Sequence, residues 1–292
     1  MTLTILKVER IIQVTRLTTG DIQGISGDLP TYESSLINKT GCSLWQLACR
    51  AIGVTGKDVQ SSMNHTVVGV IPMTSGGGVL KGFCPMVSDI ANHLGCKTFV
   101  TEKTDAAGIA EAVEKNADIL MFADEDRFIA LDMRYRKIVD NAVATGRGFV
   151  TGLQLMAGSL KDRKVLVLGC GPVGQSAVKA LLKTGARISV YDIEPAAYGP
   201  LSAEFNNDPD IVVQFLNNLD PALHQHELIV DASPASNFIL SQHIKPQTII
   251  SAPGMPMGLD KSAMEAIGDR ILHDPLQIGV AVMLVDALSR II

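Results

Sequence analysis

KVLVLGCGPVGQSAVKALLKTGARISVYD, residues 164–192, contains in chain order an apolar strand, a glycine-rich turn, a helix, a second strand and a terminal acid. These are the parts of a dinucleotide-binding βαβ unit, and they predict a Rossmann domain. Gly169, Gly171 and Gly174 form GxGxxG directly after the strand. The first allows a tight turn, the second lets backbone amides approach a pyrophosphate, and the third lets the helix sit close to the strand. With Pro172 and Val173 between them, they aim the unpaired N–H groups and positive dipole end of the helix at a phosphate. Asp192 closes the second strand, where a carboxylate can accept both hydroxyls of an adenosine ribose and repel a 2'-phosphate. This favours NAD over NADP. Rossmann domains that bind S-adenosylmethionine also end this strand with an acid, and they are the competing reading of the ligand.

Towards the C-terminus, DIVVQFL, ELIVDAS and QTIISAPG continue a parallel sheet. DASP (residues 231–234) and SAPG (residues 251–254) each follow an apolar strand and so fall at its carboxyl edge, where ligands bind. Ser233, Pro234, Ala252 and Pro253 are therefore expected to flank a nicotinamide; the alternative is that these residues only terminate strands. His273 in LHDP ends the last predicted strand, where it either relays protons or serves the structure. PLQIGVAVMLVDALSRI reads as an amphipathic helix whose apolar face packs back across an interlobe cleft.

Towards the N-terminus, residues 138–159 have apolar positions at helical spacing with several glycines, a closely packed connecting helix. Before it, TVVGVIP, PMVSDIANHLG, KTFVT, AAGIAEAVEKN and DILMF read as strand, helix, strand, helix, strand, a small parallel α/β unit. Residues 3–58 have mostly helical spacing with breaks at residues 20–27 and at Pro30. The expected architecture is α/β: an N-terminal substrate-binding domain, residues 1–158, made of a helical cap (1–60) and the small α/β unit (61–158), then the Rossmann domain with a C-terminal helix, residues 159–292. In PMTSGGGVLKGF, residues 72–83, the order of a P-loop is absent, but amides and the hydroxyls of Thr74 and Ser75 can hold a carboxylate or amide, or the stretch is a flexible turn. ADEDR, residues 123–127, ends a strand, and Asp124 is placed to hold a substrate ammonium. Asp126 and Arg127 read as a solvated or helix-capping pair.

Composition narrows the function classes. A net charge of -5 and a pI near 5.7 argue against nucleic acid and for small-molecule partners. Five scattered cysteines without a CxxC suit reduced thiols. His224 and His226 form an HxH in a predicted loop without nearby acids or thiols, so no metal is expected. No secretory pattern or long apolar span is present, which predicts a soluble, cytoplasmic protein and no membrane partner. The apolar terminal helix and the helical cap make a homodimer plausible.

VIPMTSGGGVLKGF, the segment from KTFVT to ILMFADEDRF, and VLVLGCGPVG, in that order, resemble the PylD family, the dehydrogenases of pyrrolysine biosynthesis. The resemblance covers residues 65–292. It implies NAD-dependent oxidation of the carbon bearing the terminal amine of 3-methyl-D-ornithyl-N6-L-lysine, loss of ammonia, and closure of the pyrroline ring of pyrrolysine, with solvent moving the protons. It implies that Ser75, Phe83 and Asp124 line the substrate cavity, the first and last orienting polar groups and Phe83 shaping the wall. In PLQIG the family pattern has a glutamate where this chain has Gln277, which would anchor an amine without charge. The family's first helix closes over the substrate, but MTLTILKVERII is too divergent to transfer a residue. The alternatives are another two-lobed NAD dehydrogenase of the amino-acid or methylenetetrahydrofolate type, for which the only lysine near the cleft turns is Lys81, or a non-catalytic NAD-binding sensor.

Overall fold

The computed structural model describes residues 25–75, 80–205 and 213–289. Three helices come first: α1 (Ile25–Thr40), α2 (Leu44–Ile52) and α3 (Gly56–Met63). Pro30, expected to break the chain, lies inside α1, just past the first turn. Ser43 begins α2 with a capping box to Gln46, and Gly53 ends it in the left-handed conformation.

The first sheet follows: β1 (Val67–Val70), α4 (Phe83–His93), β2 (Lys97–Val100), α5 (Asp105–Glu114), β3 (Ile119–Ala123), β4 (Phe128–Asp132) and β5 (Lys137–Asp140). Its order is β2-β1-β3-β4-β5. The first three strands are parallel, as expected, and the last two are an added antiparallel hairpin. That hairpin corrects the sequence reading, which started a helix at residue 138. Its turn carries Arg136 at φ 55°, so neither glycine nor asparagine marks the reversal. The helix, α6 (Asn141–Ala157), begins after β5, where the Asp140 carboxylate accepts the N–H of Ala142.

The second sheet comprises β6 (Lys164–Leu168), α7 (Pro172–Leu182), β7 (Arg187–Tyr191), α8 (Gly199–Phe205), β8 (Val213–Leu216), α9 (Leu219–Gln225), β9 (Leu228–Asp231), β10 (Ile249–Ala252), α10 (Lys261–Ile267) and β11 (Ile271–His273). Its order is β11-β10-β9-β6-β7-β8, with every pairing parallel. The chain leaves β6 first to one side and then to the other, so a topological switch point lies at its carboxyl end.

Helix α11 (Gln277–Leu288) then joins the first lobe's core rather than the second's. It is not amphipathic: Gln277 through Val285 are all buried, and a helix apolar on every side belongs inside a core. It packs among α2, α4, α6 and β4, with Leu44 and Leu47 of α2 in the same cluster. The N-terminal helices therefore build this core as well as cover it. The glycines of α6 are contact points: a Cβ on Gly148 would overlap Ile278 and one on Gly152 would overlap Leu272. No helix among the described residues is long and apolar enough to cross a membrane.

Candidate active site

At the switch point, the glycine turn is shaped by backbone contacts. Gly169 adopts φ 90°, and a Cβ there would lie 2.9 Å from the Ala232 carbonyl oxygen. A Cβ on Gly174 would overlap the Gly169 carbonyl, so both positions exclude side chains for reasons internal to the fold. Gly171 differs: the space its Cβ would take is open to 4 Å. That is a cradle suited to a ligand's pyrophosphate, at the N-cap of α7, with Gly171 and Pro172 exposed and Val173 half-buried.

Asp192 follows β7, one strand over. Its Oδ2 accepts the N–H of Cys170 at 2.7 Å and its Oδ1 the N–H of Glu194 at 2.9 Å. The carboxylate thus ties the glycine turn to its own, with further lone pairs left for ribose hydroxyls. Tyr198 Oη accepts the Asp192 N–H at 2.9 Å and donates to the Leu216 carbonyl. Burial raises the Tyr198 pKa.

On the other side of β6, Ser233 is half-buried and Pro234 exposed after β9, while Ala252 is buried and Pro253 half-buried at the end of β10. Between them lies a residue the sequence reading passed over, Asp231, fully buried, with its pKa pushed up to about 6 by burial. Its strand-end position was visible in the sequence, but its burial was not. His273 Nδ1 lies 2.7 Å from the Ala252 carbonyl, which can only accept, so Nδ1 carries a hydrogen. Asp274, also buried, accepts the N–H groups of Leu276 and Ile278 and the hydroxyl of Tyr32 at 2.7 Å. Burial is the first cause of the raised pKa values of both Asp274 and Tyr32.

In the first lobe, Ser75 is exposed in the segment after β1, and Asp124 follows the neighbouring strand β3, so both stand at one carboxyl edge. The glycines of TSGGG lie outside the described residues, as does MTLTILKVERII. The start of the segment is held by a residue not anticipated, Asp105, whose carboxylate accepts the Thr74 N–H at 2.9 Å and the Thr74 hydroxyl at 2.7 Å. These bonds lower its pKa, and Asp105 sits at φ 53° to make them. Asp124 Oδ1 accepts the N–H groups of Asp126 and Arg127, both at 2.8 Å, closing its own turn. Arg127 pairs with Asp140 at 2.9 Å instead of with Asp126, because the hairpin brings β5 alongside.

Phe83 opens α4 with 1% of its surface exposed and meets Phe128 edge to face, ring centroids 5.2 Å apart. Gln277 starts α11, is buried, and its Oε1 accepts the Leu276 N–H at 3.2 Å. The elements carrying Phe83 and Gln277 meet, since α11 packs on α4, and α11 also packs on β4, the strand that follows the Asp124 turn. Met255, just past Pro253, packs against this same core, so the loop after β10 reaches the first lobe. A broad groove of about 1690 Å³ along α6 and α7 includes only Pro172 of the expected site residues.

The two histidines of the HxH part company. His226 is buried, bonded to the Ala222 carbonyl and the Ser189 hydroxyl. His224 lies in α9 rather than a loop, 3.8 Å from Asp220, and His243 Nε2 is 3.0 Å from the same acid. An acid is therefore near, contrary to the sequence reading. His243 Nδ1, however, accepts the Leu240 N–H, so its Nε2 holds a hydrogen that a metal ion would have to displace.

A Rossmann sheet joined to a smaller α/β lobe defines a shikimate-dehydrogenase-like fold. Residues 153–256 match the family model Shikimate / quinate 5-dehydrogenase. Quinate dehydrogenase from Corynebacterium glutamicum in complex with NAD superposes with a TM-score of 0.54 at 15% identity, over 77% of this chain and 93% of that one. Shikimate dehydrogenase from Aquifex aeolicus gives 0.53 at 15% identity, over 75% and 90%.

Residues 21–139 match the model Pyrrolysine biosynthesis protein PylD, N-terminal domain. Pyrrolysine synthase of Methanosarcina barkeri is 26% identical over 280 residues, 95% of this chain and 99% of that protein. The Methanosarcina acetivorans protein is 28% identical over 269 residues, 92% and 97%. The chain is thus similar to the PylD family, through a family model over its N-terminal domain and through pyrrolysine synthases along nearly its whole length.

Proposed function

We propose that the protein is an NAD-dependent dehydrogenase of pyrrolysine biosynthesis that oxidises the carbon bearing the terminal amine of 3-methyl-D-ornithyl-N6-L-lysine. One observation carries the cofactor half of this reading: the Asp192 carboxylate is bonded to the Cys170 amide inside the glycine turn, so ribose selector and pyrophosphate cradle form one unit. Gly171, Pro172 and Val173 would face the pyrophosphate and Asp192 the adenosine ribose. Ser233, Pro234, Ala252 and Pro253 would flank the nicotinamide across β6. When bound, NAD supplies the hydride acceptor.

The substrate half rests on the similarity to pyrrolysine synthases and on the polar residues at the carboxyl edge of the first sheet. The terminal amine must be neutral when hydride leaves, since a protonated amine has no lone pair for the developing cation. Ser75 and Asp124 would orient the substrate's polar groups, with Phe83 and Gln277 behind them. The two-electron oxidation releases one hydride and one proton. Water then adds, ammonia leaves, and the α-amine condenses on the aldehyde with return of that water, closing the ring.

The division of the chain at residues 158 and 159 into substrate and cofactor domains, a cytoplasmic setting and a homodimer belong to the same reading. The test is incubation of purified protein with the isopeptide and NAD, following NADH absorbance and product mass. The expected result is stoichiometric NADH, ammonia and pyrrolysine. Reduction without ring formation would assign the chain to another dehydrogenase reaction, and binding without reduction to a sensor.

A further inference from the structure

On the cofactor reading just given, we infer that Asp231 is a positioning residue that locks the two nicotinamide-side loops together. Its side chain bonds two segments, the turn after β9 and the far end of the loop after β10, without being exposed itself. Oδ1 accepts the hydroxyl of Ser233 at 2.7 Å and the Ser233 N–H at 3.2 Å, which sets the turn after β9. Oδ2 accepts the N–H of Gly258 at 2.8 Å, which holds the far end of the loop after β10. The near end is held by Asp231's own carbonyl, which accepts the N–H of Gly254 at 2.8 Å. One residue thus gives each loop its anchor.

The surrounding glycines show how close these contacts are. A Cβ on Gly258 would lie 2.5 Å from Asp231 Oδ2 and 2.6 Å from the Phe238 ring. A Cβ on Gly254 would overlap the Ser233 carbonyl. On its other flank, the same turn bears on the fingerprint, because the missing Cβ of Gly169 faces Ala232. The glycine turn, the turn after β9 and the loop after β10 are therefore stacked in a row, with the Asp231 carboxylate joining the last two. The donors arrayed on it are three N–H or O–H groups that need an acceptor on both oxygens, and only a carboxylate offers that in this volume. Asparagine would turn an N–H₂ towards either Ser233 or Gly258 and repel one loop. His273 on β11 is the ionisable neighbour whose charge, when it is protonated, favours the Asp231 carboxylate.

Because the loops lie on the β9 side of the switch point and Asp192 on the β7 side, the effect should be confined to one half of the dinucleotide. NAD and ADP-ribose, which differ by the nicotinamide, are the probes. Asp231→Asn is expected to weaken NAD by about tenfold, the cost of one displaced charged hydrogen bond, and to leave ADP-ribose unchanged. Gly258→Ala, which keeps the carboxylate but pushes a methyl against it and so displaces the same loop, should reproduce the split if the first variant fails to fold. In the ligand-free protein, hydrogen exchange at Gly254 and Gly258 should accelerate in Asp231→Asn. Equal weakening of both ligands, or none of either, overturns the role of Asp231 while leaving the cofactor reading standing. A wild-type protein that binds neither ligand overturns the cofactor reading and this role with it.

Discussion

Both carboxyl edges use carboxylates that accept backbone N–H groups, but the balance between such bonds and steric exclusion differs. Along the second sheet, the turns after β6 and β10 are shaped by missing side chains: Gly174 and Gly254 abut backbone carbonyls so closely that nothing else fits. Along the first sheet, the turns are held by side chains reaching back to backbone, Asp105 to Thr74 and Asp124 to residues 126 and 127. The difference has a physical consequence. An edge made by steric exclusion has one shape and suits an invariant ligand such as a dinucleotide, whereas an edge made by hydrogen bonds can be re-aimed by single substitutions and suits a specific substrate.

Breaking the steric edge should have the largest effect. Gly174→Ala forces a Cβ onto the Gly169 carbonyl, and titration calorimetry should show NAD affinity down by about a thousandfold or more, the cost of several kcal/mol of strain. An alanine variant that binds normally would mean that the turn is not the cradle. Next comes Asp192→Ala, which removes a charged acceptor. NAD binding should weaken by about a hundredfold, with a smaller loss for NADP, so that the ratio of their dissociation constants narrows.

The two edges should also respond oppositely to pH. Asp231, pushed up to about 6 against an ordinary 3.8, is harder to ionise in the fold than in the unfolded chain. The folded state then binds more protons between those values, so stability falls as pH rises through that window and is flat above it, by about 3 kcal/mol at most. Glu111 in the first lobe is drawn down to about 2, first by its bond to Lys115 and then by the amides of Lys103 and Glu102. Its contribution is complete above its ordinary 4.5 and is lost as pH falls towards 2. Thermal unfolding of wild type and Asp231→Asn between pH 4 and 7 should show the wild type losing ground against the variant as pH rises. Parallel curves would remove Asp231 from the account.

Releasing the hydrogen-bonded edge should cost less and cost it elsewhere. Asp105→Ala frees Thr74 beside Ser75, so the KM for the isopeptide should rise about tenfold while the NAD dissociation constant stays put. A matching loss of NAD affinity would show that the edges are not separable. The smallest expected effect is at the seam. Tyr32→Phe removes one of three donors to buried Asp274 and should lower stability by about 1–2 kcal/mol in denaturant unfolding, with no change in cofactor affinity.

What could be read from the chain alone follows from distance along it. The fingerprint was legible because strand, glycines, helix and acid are contiguous between residues 164 and 192, and Gly174 answers a demand made by the Gly169 carbonyl a few residues before it. The apolar strands before it were legible for the same reason. Tertiary structure alone decided the rest. The β4–β5 hairpin turns on an arginine at positive φ, the Asp105 to Thr74 clamp spans 31 residues, and α11 is buried on all sides only because α2, α4 and α6 surround it. A carboxylate's environment is set by whatever distant chain covers it, so the contrast between half-buried Asp192 and fully buried Asp231, both at strand ends, arises only once the sheet has closed over one and left the other at its mouth.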